Sequence, residues 1–308
     1  MASGDLVLSD FLFSETELPQ PDWEYLAAAV AERIAPEDQF QCWTNLATQW
    51  LHALNESFGG EYDCLESDNF LLFGFPPRVN LRSLARDAEI CRQRLLELLP
   101  GLAEFHAQGK QVVLIFTGDD AYYAHVSHYQ PEGEFGRSGG MHIRDAYSHV
   151  VVRENLAQTH TPLAHELTHA ALSHLALPQW IEEGLAQLAE HDANGLGLDF
   201  DYRKVRRQKG HWRKYGLQEF WSGEGFSRLG KRQDYSYQLA EILMRLFLAD
   251  YKPRWFGLDR RPLQRFLQFL REASIADAGQ AAAIEHLGIT LGQHAAKSLG
   301  PGDWEPAA

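Results

Sequence analysis

Apolar residues in the first part of the chain recur at intervals of three and four. Residues 22–34 carry one such stripe, and Trp43, Leu46, Ala47, Trp50, Leu51 and Leu54 carry a second, the pattern of amphipathic helices that bury one face. The spacing then changes. Residues 70–75 (FLLFGF) are an unbroken apolar run closed by Pro76 and Pro77, as expected of a strand covered on both sides. Leu81, Leu84, Ala88, Cys91, Leu95 and Leu98 return to helical spacing as far as Pro100 and Gly101, which end the helix. Residues 112–116 (VVLIF) predict a central strand. Residues 131–140 read as a glycine-rich loop, followed by short strands at 141–144 and 149–152 with Asp145, Ala146 and Tyr147 turning between them.

From Leu156 onward the pattern is helical, with stretches predicted at 161–175, 181–193, 237–250, 263–273 and 281–287. Strands followed by helices predict an α+β fold, and the pattern shows no alternation of the kind that builds a doubly wound parallel sheet. No repeat of solenoid period is present. Residues 1–20 are acidic and aperiodic, which predicts a loosely held arm.

Composition narrows the function. The 308 residues are 45% apolar and 12% aromatic, enough for a core. Forty-two acidic residues against 28 basic ones give a formal charge of −14, which disfavours a nucleic-acid partner because phosphates would meet a field of their own sign. No apolar run reaches the 18 or so residues of a membrane span, so no membrane partner is expected. The N-terminus lacks the basic and apolar regions of a secretory signal. Three cysteines without CxxC spacing fit a reducing compartment. Together these predict a cytoplasmic protein.

The chemistry concentrates in Thr161-Pro162-Leu163-Ala164-His165-Glu166-Leu167-Thr168-His169. Thr161 can cap a helix and Pro162 can open it. His165 and His169, four apart, then share a helix face. Glu166 lies about 100° round from His165, displaced from that face but able to reach a water beside it. This is the HExxH arrangement of a zinc helix. Two imidazoles and one carboxylate leave zinc with a residual positive charge and an open position, where a bound water's pKa falls toward ~7. The glutamate then serves as general base and acid. Leu172 and Leu175 stand where a metzincin needs Gly and His, which excludes that branch.

The segment Trp180-Ile181-Glu182-Glu183-Gly184-Leu185-Ala186 resembles the W-[LI]-x-E-G-[FL]-A segment of gluzincin (peptidase MA-like) metallopeptidases, which include the M1 aminopeptidases. The resemblance implies that Glu183, the residue before the glycine, is the third metal ligand, with Glu182 passed over. It implies that Glu190, seven residues on, orients a zinc histidine. Glu183, Gln187 and Glu190 fall on one helical face. Tyr235-Ser236-Tyr237-Gln238-Leu239-Ala240 resembles the Y-x-x-[AS] segment that donates a hydrogen bond to the oxyanion. Tyr237 suits the following apolar register better than Tyr235 does. Gly139-Gly140-Met141-His142-Ile143 corresponds to the G-x-M-E-N edge strand, so Gly140 and Met141 become substrate-binding candidates by β-addition. His142 replaces the glutamate that grips a free amine in aminopeptidases, so the expectation shifts to an endopeptidase or one of narrow specificity.

The resemblance implies a zincin-like fold. Residues 1–65 would form an extra helical N-terminal segment and residues 66–308 the peptidase domain, with a sheet lobe at 66–155 and a helical lobe at 156–308. It implies Zn²⁺ as cofactor and a peptide or protein as substrate. The alternative is a catalytically silent zincin-fold module that binds a protein. Residues 203–214 hold seven of the 28 basic residues, and this run or the N-terminal segment is a candidate docking site for a protein partner.

Overall fold

The apolar runs at the centre of the chain pair with one another. The computed structural model describes residues 6–105, 108–130, 139–154, 159–193, 202–251 and 260–307, with only the backbone described at residues 202–204. Most of the predicted loop at 131–140 therefore lies outside the described residues. The fold is α+β. The chain divides into two compact units, Met1–Leu98 with Ala103–Ala171, and Leu99–Leu102 with Leu172–Ala308.

The first unit is built on five strands in the order β1-β2-β3-β5-β4. They are β1 (Asp63–Glu66), β2 (Phe70–Gly74), β3 (Gln111–Phe116), β4 (Gly140–Ile143) and β5 (His149–Arg153). β2, β3 and β5 are parallel neighbours, and β1 and β4 flank them antiparallel. Five helices complete the unit: α1 (Trp23–Arg33), α2 (Pro36–Ser57), α3 (Leu81–Leu98), α4 (Asp119–Tyr129) and α5 (His160–Leu172). Alternate side chains of each strand face opposite ways. Leu71, Phe73, Val112, Leu114, Phe116 and Val151 join one buried cluster with Trp23, Leu26, Trp43, Trp50 and Leu54 of α1 and α2 and with Tyr122 and Val126 of α4. Phe70, Leu72, Val113, Ile115, Val150 and Val152 join the other, with Leu84 and Ala88 of α3 and with Leu163, Leu167 and Ala170 of α5. Cover on both faces is why β2 and β3 read as continuous apolar runs.

Three features differ from the sequence expectation. From Leu6 onward the arm is not loose: Leu6, Leu8, Phe11 and Leu18 are buried in the first cluster, a short 3-10 turn forms at Leu8–Phe11, and Leu12 bridges Pro21. Its acidic composition hid four apolar anchors. α4 and β1 have no counterpart in the predicted elements. With α3 linking β2 to β3, and α4 within the β3–β5 connection, the parallel strands do alternate with helices. α5 ends at Leu172, three residues short of the predicted end at 175.

A buried polar chain runs through the first cluster. The Trp23 indole donates to Tyr129 Oη (3.1 Å), which donates to Gln20 Oε1 (3.1 Å). The Gln20 amide donates to His125 Nδ1 (3.0 Å), and His125 Nε2 lies 2.9 Å from His149 Nε2. Because His125 Nδ1 accepts, its Nε2 carries the proton and donates to His149, whose remaining proton points from Nδ1 toward Tyr147 O at 3.4 Å. Both rings are fully buried and hold no place for a second proton.

The second unit is helical. Its elements are α6 (Gln179–Ala193), α7 (Tyr202–Tyr215), α8 (Gln218–Trp221), α9 (Glu224–Ser227), α10 (Lys231–Tyr251), α11 (Arg261–Glu272), α12 (Gln280–Ala282) and α13 (Leu291–Leu299), with a π-turn at Ala283–Leu287. Trp180, Phe220, Phe247, Phe266 and Phe269 are fully buried, and the Trp180 indole donates to Ala278 O (2.9 Å). α6 and α10 meet closely at Gly184, where an added Cβ would lie 2.7 Å from Ala240 O and 3.2 Å from Met244 Cβ. Gly184→Ala is therefore expected to lower stability by about 1–3 kcal/mol, against the gain that Ala brings to an isolated helix. Urea unfolding checks this, and an unchanged midpoint would show that the two backbones separate at little cost. Among the described residues, no helix is long and apolar enough to cross a membrane.

Candidate metal centre

α5 has three functional faces. Leu163, Leu167 and Ala170, at i, i+4 and i+7, press on the sheet. The histidine pair falls on the far side of the helix from these residues. There the rings approach to a centroid distance of 4.7 Å, and the Nε2 atoms of His165 and His169 are 3.0 Å apart. The spacing of four read from the sequence thus brings both nitrogens to one point.

Glu166 is buried and lies against the edge strand. A Cβ at Gly140 would fall 2.7 Å from Glu166 Cγ, 3.2 Å from its Oε1 and 2.9 Å from Val151 O. Only glycine admits so close an approach, and the isolated pair Gly139-Gly140 before a short strand is the sequence signal for it. Gly140 and His142 pair with Val152 and Val150, so they share the sheet face on which α5 packs. Met141 faces the opposite cluster, half-buried.

His142 is 9% exposed, and among the described residues neither ring nitrogen has a hydrogen-bond partner. Burial, and then the Arg144 cation, push its pKa down to about 3, so the ring is neutral near pH 7. The sequence marked His142 only as a departure from a motif, and its burial was not legible there.

In the second unit, Pro178 breaks the chain before α6, and Glu183 is buried on that helix. Gln187 Nε2 donates to Glu190 Oε1 (3.1 Å), so these two side chains do share a face. Tyr237 is half-buried on α10, its ring 5.3 Å from Phe226 and nearly perpendicular to it. Tyr235 is stacked on His211 of α7 at 4.2 Å.

Within the first unit, His165 and His169 each offer a ring nitrogen to one point. A tetrahedral ion with Zn–N bonds of about 2.0–2.1 Å holds its nitrogens roughly 3.3 Å apart, close to the observed 3.0 Å. Two imidazoles and a carboxylate also match zinc in softness and charge. The residues present therefore fit the ion. A further group, Glu272, Glu285 and His286, is largely exposed, and the 2.8 Å hydrogen bond between His286 Nε2 and Glu272 Oε2 accounts for it. Comparison with models of protein families found none that matches the chain, and comparison with curated proteins found no match.

Proposed function

We propose that this protein is a zinc-dependent peptidase with a zincin-like fold, acting in the cytoplasm on internal peptide bonds. The approach of His165 Nε2 to His169 Nε2 at 3.0 Å, with the Glu166 side chain held beside Gly140 on the same helix, carries the reading, and Glu183 is the third ligand that the resemblance implies. Zinc bound there would supply Lewis-acid polarisation of a carbonyl and a water acidic enough to ionise near neutral pH. Glu166 takes the proton of the attacking water at its carboxylate and returns it to the leaving nitrogen. Its burial beside Gly140 holds the carboxylate against β4. β4 is an edge strand, and an extended peptide pairing with it would have its backbone next to the base. The Tyr237 hydroxyl donates to the oxyanion, and Glu190 steadies an imidazole. A neutral His142 offers one donor and one acceptor without negative charge, which suits an internal segment better than a free amino terminus.

The test is elemental analysis of wild type and His169→Ala, with mixed-peptide cleavage measured on the same samples. The expected result is one zinc per wild-type chain, lost together with cleavage in His169→Ala. A wild type that binds no stoichiometric metal would overturn the reading.

A further inference from the structure

Helix α7 turns Gln208 and Trp212 inward, both buried. The Trp212 indole donates to Gln208 Oε1 (2.5 Å), and the Gln208 amide donates to Gln238 of α10 (3.2 Å). These contacts fix which way the rest of the helix points. Arg206, Arg207, Gly210, Arg213 and Lys214 are all exposed. At about 100° per residue, Arg206 and Arg213 fall within about 20° of each other, as do Arg207 and Lys214. Gly210 lies midway between the two pairs, and the four cations span about 12 Å along the helix axis.

Two observations set this surface apart from an ordinary solvated face. The first is pairing. Cations elsewhere in the same unit are mixed: Arg228 and Arg232 meet Glu219 and Lys297 meets Asp250, while Lys231 and Arg271 have no ion pair among the described residues; on α7 four such cations share one face. Among the described residues, Arg206, Arg207, Arg213 and Lys214 have no ion pair, on a chain with 42 acidic residues. Lys214 rests over the ring of Tyr215 instead (4.9 Å). The second is Gly210. A glycine within a helix lowers its stability, and here the packing does not require one, since an added Cβ would meet nothing within 4 Å. What the glycine does provide is bare backbone at the centre of four cations, a floor on which another chain can lie close.

We propose that this face of α7 is a docking trough for an acidic polypeptide segment, laid across Gly210 with its carboxylates on the two cation rows. Three of the four cations are arginines, whose planar forks pair with carboxylates through two hydrogen bonds. The net charge of −14 favours a short peptide over an extended polyanion. Charges act only within a Debye length of about 8–10 Å, so a short peptide meets mainly the trough, whereas a nucleic acid or an anionic vesicle also comes within that distance of the acidic surface around it and is repelled. This proposal is independent of the metal reading.

The test is fluorescence anisotropy of a labelled eight-residue oligoglutamate titrated with the full chain, with a uridylate oligomer and phosphatidylserine vesicles as comparisons. Wild type is expected to bind the peptide saturably, weakening about tenfold between roughly 50 and 200 mM salt, and to bind the peptide better than either comparison. Arg206→Glu with Arg213→Glu is expected to lower affinity at least tenfold. Gly210→Leu keeps every charge and favours the helix, yet is expected to weaken binding about tenfold by raising the floor. Unchanged affinity in either variant, or tighter binding of the RNA or the vesicles than of the peptide, overturns the proposal. Circular dichroism confirms that both variants are folded.

Discussion

Glu166→Gln is expected to lower peptide cleavage by about 10²- to 10⁴-fold while metal content stays at the wild-type level. The range is that of a positioned general acid–base. Glutamine keeps the volume of the side chain beside Gly140 but cannot take a proton, so the loss should fall on kcat more than on KM. Metal retention separates this role from ligation, because Glu166 lies against Gly140, displaced from the face of the histidine pair, whereas a ligand variant should lose the ion itself. Cleavage within tenfold of wild type, with zinc still bound, would remove Glu166 from the role of base and leave some other group to move the proton.

Acid is expected to unfold the first unit over the range where an exposed histidine titrates. Burial pushes His149 down to about 3 from an ordinary 6.5, and burial with the neighbouring His149 and His128 charges holds His125 well below its ordinary value. The folded protein therefore binds fewer protons than the unfolded chain between about pH 3 and 6.5. Stability is full above that window and falls as pH drops through it. Each pH unit costs about 1.4 kcal/mol per histidine, so His149 alone removes about 2.7 kcal/mol by pH 4.5. Native proteins are stable by only about 5–15 kcal/mol. The groups packed around the pair are Gln20, Trp50, Phe116, Tyr129 and Tyr147, and none is a carboxylate that could stabilise an added proton. Urea midpoints of the metal-free protein at pH 7 and pH 4.5 check this against His149→Gln, which stays neutral. Equal acid losses in the two proteins would show that the pair does not set the acid limit.

The helices α1, α2, α3 and α5 and the strands β2, β3, β4 and β5 were legible because each has a clear period or an unbroken apolar run. α4 (DDAYYAHVSHY) was not. It buries Tyr122, His125 and Val126, and aromatic and histidine residues blur the apolar stripe that marks a helix. The arm was missed for a similar reason: its four buried apolar residues are spaced irregularly among acidic ones, so no window sees them as a pattern.

The site divides in the same way. Spacing along one helix is enough to bring His165 and His169 together, because a rise of about 1.5 Å per residue and 3.6 residues per turn leave residues four apart no other arrangement. The sequence by itself therefore determined the α+β character, the histidine pair, the position of Glu166 relative to it, and the basic run at residues 203–214. Tertiary structure alone decided that Gly140 touches Glu166, that His142 is buried neutral, that His125 meets His149 across 24 residues, and that α7 turns Trp212 inward around an exposed Gly210. Those contacts join residues distant in sequence. Such residues meet only when sheet register and helix packing are settled, and one-dimensional periodicity carries no information about either.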